Sequence, residues 1–110
     1  METLKILGQL VPSASSLSAL YTVPALTMAS VSSVVVCNQN SGLWIAFRVS
    51  LAVSGAADDP NQYIYYDLPL DPNDTFIATI GVGLNAGDIV RVQASGANIS
   101  FNLFGVEVQV

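Results

Sequence analysis

Apolar and polar residues alternate with a period of two along most of this chain. In the segment 43–53 the odd-numbered residues are apolar and are predicted to face a core: Leu43, Ile45, Phe47, Val49, Leu51 and Val53. The even-numbered residues, which include Trp44 and Arg48, are predicted to lie on the opposite face. This period, held over the whole segment, is typical of a strand with one face on a core.

The same reasoning predicts further strands elsewhere in the chain. They lie at about residues 3–10, 18–23, 30–38, 62–68, 74–82, 88–95 and 98–109. Turn-forming Gly, Pro, Asn and Asp residues separate them at short intervals. The apolar positions of the last strand change parity at Phe104, which predicts a bulge near Phe104 and Gly105. About eight short antiparallel strands and no helical stripe predict an all-β, single-domain β-sandwich or jelly roll over residues 1–110.

The first 24 residues differ in composition from the rest of the chain, since they contain the small, uncharged run Pro12-Ser13-Ala14-Ser15-Ser16. Two interpretations stay open. In one, this run joins two strands of the same sandwich. In the other, the N-terminal segment is an arm that lies across a neighbouring subunit.

Charge is scarce for a small protein. Only 10% of the residues are charged, 52% are hydrophobic, the mean hydropathy is +0.56 and the net charge is −5. These charges are too few to cover the surface, so part of it is expected to be buried against other subunits. No apolar run is long enough for a membrane span, and no signal peptide is expected. The cations Lys5, Arg48 and Arg91 are far apart in sequence, which argues against nucleic-acid binding.

The residue types that support catalysis are largely missing. The chain has no His and one Cys, Cys37, which is expected to be a small buried hydrophobe rather than a nucleophile. A Ser-His-Asp triad is excluded, and neither an enzyme nor a cofactor is expected. Asp71, Asn73 and Asp74 offer oxygen ligands for calcium, but their spacing fits a simple turn better, so no metal is expected.

Aromatic and arginine side chains are the candidates for an interface. An outward Trp with Tyr and Arg nearby has the composition of an interaction hot spot. The candidates are Tyr21, Trp44, Arg48, Tyr63, Tyr65, Tyr66 and Arg91. A loop or second sheet of the same subunit covering Trp44 is the alternative, and a carbohydrate-binding face would use similar aromatics.

Several runs, read in order, carry a resemblance to a known family. They are Leu20-Tyr21-Thr22-Val23-Pro24, Val34-Val35-Val36-Cys37-Asn38, Phe47-Arg48-Val49, Tyr63-Ile64-Tyr65-Tyr66-Asp67-Leu68-Pro69-Leu70, Asn73-Asp74-Thr75-Phe76, Leu84, Asp88-Ile89-Val90-Arg91-Val92 and Ser100-Phe101-Asn102-Leu103-Phe104-Gly105-Val106-Glu107. Over residues 18–108 the chain resembles small all-β virion proteins of tailed bacteriophages. The resemblance implies a capsid decoration (cement) protein or a tail-associated protein, and it brings no catalytic residues.

The leading hypothesis is therefore a structural virion protein that stabilises the major capsid lattice as a homotrimer. Its expected partners are the major capsid protein and itself, and its expected place is the capsid surface after synthesis in the host cytoplasm. One alternative is a tail, head-spike or fibre-base adaptor or receptor-facing protein. A second alternative, of another class, is a sugar- or calcium-binding β-sandwich module.

Overall fold

Strands form almost all of the regular structure in this computed structural model, which describes residues 2–110. The strands are β1 (Glu2–Leu10), β2 (Ser18–Thr22), β3 (Thr27–Asn38), β4 (Ile45–Ala52), β5 (Tyr63–Leu70), β6 (Thr75–Leu84), β7 (Ile89–Ala94) and β8 (Ile99–Gln109). Two short 3₁₀ turns, Val53–Gly55 and Pro60–Gln62, lie between β4 and β5. Within residues 2–110 no helix is long and apolar enough to cross a membrane.

The strands form two antiparallel four-stranded sheets. Sheet A has the order β1-β8-β3-β6, and sheet B has the order β2-β7-β4-β5. The pairings are nested, because β1 pairs with β8, β2 with β7, β3 with β6 and β4 with β5. The prediction of an all-β sandwich is confirmed. Residues 2–10 and 18–22 are paired within the chain, and residues 11–17 link them.

The core lies between the inner faces of the two sheets. Phe47 of β4 is its centre, with its ring centroid 5.3 Å from that of Phe76 and 6.1 Å from that of Phe101. The largest fully buried side chains come from alternate positions of the strands, as a period of two requires: Phe47, Phe101, Ile45, Ile99 and Leu103. Valines of β3, β4 and β7 fill the space between them.

The predicted core stripe of residues 43–53 is correct in its middle and wrong at its ends. Ile45, Phe47 and Val49 are buried, and Leu51 packs against the core. Leu43 and Val53 are exposed, because β4 begins only at Ile45 and ends at Ala52. Val53 starts a 3₁₀ turn that takes the chain out of the sheet.

The bulge predicted in β8 lies instead in the two strands beside it. Ile6 pairs with Phe104 and Gly8 with Leu103, which makes Leu7 an extra residue of β1. Ser33 pairs with Phe104 and Val31 with Gly105, so β3 has an extra residue at position 32. β8 itself keeps its alternation, and Phe104, Val106 and Val108 therefore stay on the outer face of sheet A.

Position 105 requires Gly because the neighbouring strands β1 and β3 leave no space for a side chain there, and not because β8 has a bulge. A Cβ at position 105 would lie 2.1 Å from the Ser30 carbonyl oxygen and 3.0 Å from Leu7 Cδ1. The extra residue of β1 thus places a Leu side chain in the space that a larger residue in β8 would need.

Candidate interface surfaces

Sheet A has an apolar outer face at the end where β1 begins. Its residues form three directly opposed cross-strand pairs, Leu4 with Val106, Ile6 with Phe104, and Met28 with Val108. Leu4 is 81% exposed, Ile6 51% and Met28 48%, whereas the three residues of β8 are half-buried. We call these six residues the apolar face. A solvated sheet face would carry polar side chains at these positions.

A shallow groove of about 420 Å³ borders the apolar face on the side of β6. Met28 and Val108 form one wall, and Gly83 and Leu84 lie across from them. A Cβ at Gly83 would meet no atom within 4 Å, so the groove is open above this residue. The groove extends the apolar face across β3 towards the edge of the sheet.

A polar network closes the sandwich beside the apolar face. Tyr21 Oη donates to Glu107 Oε2 at 2.6 Å, and Lys5 Nζ donates to Glu107 Oε1 at 3.2 Å. Burial and the bond to Glu107 raise the pKa of Tyr21 well above its ordinary value. The bonds from Tyr21 and Lys5 hold the pKa of Glu107 below its ordinary value. The network joins β1 and β8 of sheet A to β2 of sheet B.

The outer face of sheet B carries a different kind of surface, at its β5 edge. The Arg48 guanidinium lies 4.0 Å from the centroid of the Tyr66 ring and donates to both carboxylate oxygens of Asp67, at 2.6 and 3.1 Å. Tyr63 and Tyr66 meet edge to face with ring centroids 5.2 Å apart. Tyr63 Oη donates to Asp58 Oδ1 at 2.7 Å. We call these residues the tyrosine–arginine cluster: Arg48, Asp58, Tyr63, Tyr66 and Asp67.

An irregular β5 brings the two tyrosines together. Phe47 pairs with Leu68 but Val49 pairs with Tyr65, so β5 contains an extra residue between these pairs. Asp67, within this bulge, has a φ of 53°. In a regular strand, residues 63 and 66 would point to opposite faces. A second register shift lies between the two tyrosines, because Val49 pairs with Tyr65 but Ser50 pairs with Tyr63, which makes residue 64 an extra residue of β5. This second shift places both rings on the outer face, where they meet.

Each charged side chain of the tyrosine–arginine cluster has a hydrogen-bond partner within the cluster. Hydrogen bonding with Asp67 raises the pKa of Arg48, and the same bond lowers the pKa of Asp67. Burial, followed by the bond to Asp58, raises the pKa of Tyr63. The cavity of about 400 Å³ beside these residues is also lined by Pro60. The cluster offers ring faces and hydrogen bonds, which suit recognition of a partner.

Four other candidate interface residues lie apart from this cluster. Trp44 precedes β4 and is 61% exposed. The Tyr65 ring points inward, 5.2 Å from Phe76, and Tyr21 belongs to the network with Glu107. Arg91 donates to the carbonyl oxygens of Ala56 and Gly55 at 2.8 and 3.3 Å, which holds the segment after β4 against sheet B. An interface role for any of the seven candidates stays a prediction.

None of the seven candidate interface residues belongs to the apolar face. The sequence did contain a pattern for this face. Leu4 and Ile6 are two positions apart in one strand, and Phe104, Val106 and Val108 are two positions apart in another, so each set lies on one face of its strand. A bulge in β8 would have turned Val106 and Val108 inward. With β8 regular, both lie outside.

The turn considered for calcium is held by its own hydrogen bonds. The Asp74 backbone N–H donates to the Asp71 carbonyl oxygen at 3.2 Å, and Asn73 has a φ of 57°. Among residues 2–110, no group of three or more His, Cys, Asp or Glu side chains is arranged to hold a metal ion.

No protein-family model and no curated protein matches the sequence. Among solved structures, a chain of the T13 particle of infectious bursal disease virus has a TM-score of 0.54 at 10% identity, covering 96% of this chain and 30% of that one. A chain from the Gx strain of the same virus has a TM-score of 0.51 at 11% identity, covering 99% and 32%. A pentameric capsid protein from metagenomic phage sequences has a TM-score of 0.35 at 13% identity, covering 94% and 62%.

The present chain thus spans about a third or less of the two virus-particle chains. At this identity the likeness shows a shared all-β sandwich fold. The resemblance to virion proteins of tailed bacteriophages stays a prediction.

Proposed function

We propose that this protein is a structural virion protein, and specifically a capsid decoration protein that binds the major capsid protein through the apolar face. In this proposal residues 1–110 act as a single domain at the capsid surface, after synthesis in the host cytoplasm. The apolar face is the observation that carries the proposal. The nested strand pairing supports it, because that connectivity is the one expected of a jelly roll, an architecture that viral capsid proteins use.

The exposure of Leu4 in the single subunit supports burial of the apolar face against a partner. Burying a Leu side chain that is otherwise in water contributes about 2 kcal/mol. Leu4 gains almost nothing of this within the subunit, since it is 81% exposed. Glu2 lies at the margin of the face, opposite Val108, and is polar, as residues at the rim of an interface commonly are.

A homotrimer is the proposed assembly. Icosahedral lattices present three-fold and quasi-three-fold positions, and a closed homotrimer is the symmetric occupant of such a position. Native mass spectrometry of the purified protein tests this directly. A trimeric mass is expected, and a mass of one chain at every concentration would contradict it.

The copy number of the chain in virions tests the proposed role. Quantitative mass spectrometry of purified virions is expected to give a ratio to the major capsid protein near one, or a simple fraction that amounts to hundreds of copies. A few to a few dozen copies would contradict decoration and favour a tail or vertex adaptor.

Leu4→Lys tests the face itself, with Val53→Lys as its matched control. Both positions are exposed and apolar, but Val53 lies outside sheet A. Loss of about 2 kcal/mol of burial makes binding of Leu4→Lys to undecorated capsids roughly 30-fold weaker, whereas Val53→Lys binds like the wild type. Equal binding of the two variants, measured by co-sedimentation, would refute the assignment of this face.

The tyrosine–arginine cluster favours a second candidate function, a receptor-facing or sugar-binding role on sheet B. Tyrosine rings beside a charged pair and an open cavity suit a hydroxyl-rich ligand. Glycan-array binding that Tyr66→Ala abolishes would favour it. Binding to no glycan, together with full capsid binding by Tyr66→Ala, would leave decoration as the role.

A further inference from the structure

The four edge strands of the sandwich differ in how they are protected against pairing with another chain. β1 carries Glu2 and Lys5 and the extra residue Leu7. β2 is only five residues long and has a register shift of its own. β5 contains Asp67 and Pro69 and is bulged. Charge, Pro, bulges and shortness are the devices that keep edge strands unpaired.

β6 carries fewer of these protections than any other edge strand. Its ten residues, Thr75–Leu84, include no charged residue and no Pro. From Thr75 to Thr79 the register against β3 is continuous, and the shift between the two strands comes only beyond Thr79. The half of β6 from 75 to 79 is therefore a regular, uncharged edge, and sheet A has no described strand beyond it.

The side chains of this half are also incompletely covered. Phe76 and Ala78 point inward but are half-buried, whereas Val34 and Val36 of the neighbouring β3 are fully buried. Ile77 points outward and is 68% exposed. A further strand beside β6 would cover the open flank of Phe76 and Ala78 and give Ile77 a neighbour.

We propose that the 75–79 edge of β6 pairs antiparallel with the same edge of a second copy of this chain, about a two-fold axis at Ile77. In this register Ile77 lies opposite Ile77 of the second copy, and Thr75 lies opposite Thr79. On the inner face Phe76 lies opposite Ala78, a large residue against a small one. Thr–Thr and apolar pairs are favourable directly opposed pairs in antiparallel sheets, so this segment is complementary to itself.

The pairing is an isologous contact and does not use the apolar face. It joins the A sheets of two copies into one continuous sheet. The inference does not rest on the proposed function, and the two fail separately.

Disulfide trapping of Ile77→Cys tests the register. Opposed residues in an antiparallel pair have Cα atoms about 4.5–5.5 Å apart, within the range that a disulfide spans. In a Cys37→Ser background, Ile77→Cys is expected to form a covalent dimer on mild oxidation. Thr79→Cys is the matched control, because the two copies of residue 79 would be four residues out of register, about 13 Å apart.

A mixture of Thr75→Cys and Thr79→Cys chains, in the same background, is expected to give a mixed dimer that Thr79→Cys alone does not form. Equal trapping of Ile77→Cys and Thr79→Cys would show random collision and overturn the proposal. Absence of any trapped dimer at millimolar protein would overturn it as well.

Hydrogen exchange gives a readout that does not depend on cysteine. The amides of residues 75–79 are expected to exchange at least tenfold faster in Ile77→Lys than in the wild type, because Lys protects an edge from pairing. Leu4→Lys is the control and keeps the wild-type exchange there. If the amides of residues 75–79 are protected only in virions, the strand that pairs with this edge belongs to another protein, and this result would overturn the self-pairing.

Discussion

Gly105→Ala should destabilise the protein strongly, although it adds only one methyl group. The added Cβ would lie 2.1 Å from the Ser30 carbonyl oxygen, more than about 1 Å short of an ordinary carbon–oxygen contact. That oxygen belongs to the backbone of β3, which is paired with β8 on one side and β6 on the other. Neither partner can move without breaking sheet hydrogen bonds, and Leu7 Cδ1 closes the remaining space at 3.0 Å.

The expected loss in the free energy of unfolding is about 3 kcal/mol, the upper part of the range for overpacking. For a chain of this size that lowers Tm by roughly 12 °C. Gly83→Ala is the matched control, since it makes the same change in the same sheet where no atom lies within 4 Å of the new Cβ. It is expected to be neutral or to stabilise by about 0.5 kcal/mol.

Thermal unfolding followed by circular dichroism, with urea denaturation as a second method, measures both variants. A Tm for Gly105→Ala within a few degrees of that of Gly83→Ala would refute the reasoning. It would mean that β1 and β3 do not approach β8 as closely as the register shifts require.

Three further changes test other contacts by urea denaturation. Tyr21→Phe removes a hydrogen bond to a carboxylate and costs about 1 kcal/mol at neutral pH. The raised pKa of Tyr21 favours its protonated form in the folded state, so wild-type stability is expected to fall as pH rises above about 10, and Tyr21→Phe should fall less. Ser50→Ala is expected to be neutral or stabilising by up to about 1 kcal/mol, because the Ser50 Oγ is buried and has no hydrogen-bond partner among the described residues. Asn38→Leu should cost about 3 kcal/mol, since the fully buried Asn38 Nδ2 donates to the carbonyl oxygens of Leu43 and Leu70 at 2.9 and 3.1 Å.

Each of these expectations has an opposite outcome. An alkaline decline of equal steepness in wild type and Tyr21→Phe would assign the titration to another group. A large loss in Ser50→Ala would reveal a hidden partner for its hydroxyl. A mild effect of Asn38→Leu would show that the turns at Leu43 and Leu70 do not depend on this amide.

The tyrosine–arginine cluster was only partly predictable. Tyr63, Tyr66 and Arg48 were candidates because of their residue types, but the contact of the two tyrosines depends on the extra residue at position 64 of β5. In a regular β5 the two tyrosines would lie on opposite faces. The pattern of residues 62–68 does not indicate this register shift, because it is defined by the pairing of β5 with β4.

The sequence by itself determined the number of strands, their approximate bounds and the residues at the centre of the core. Alternation is a local property, and the segment 45–49 shows it without any reference to the rest of the chain. The tertiary structure decided which strands pair, and it decided the outer position of Phe104, Val106 and Val108. When the apolar positions of a strand change parity part-way along it, the period of two no longer tells which face is inside. The neighbours of β8 settled that question, because extra residues in β1 and β3 allow β8 to remain regular and leave an apolar face on the outside of sheet A.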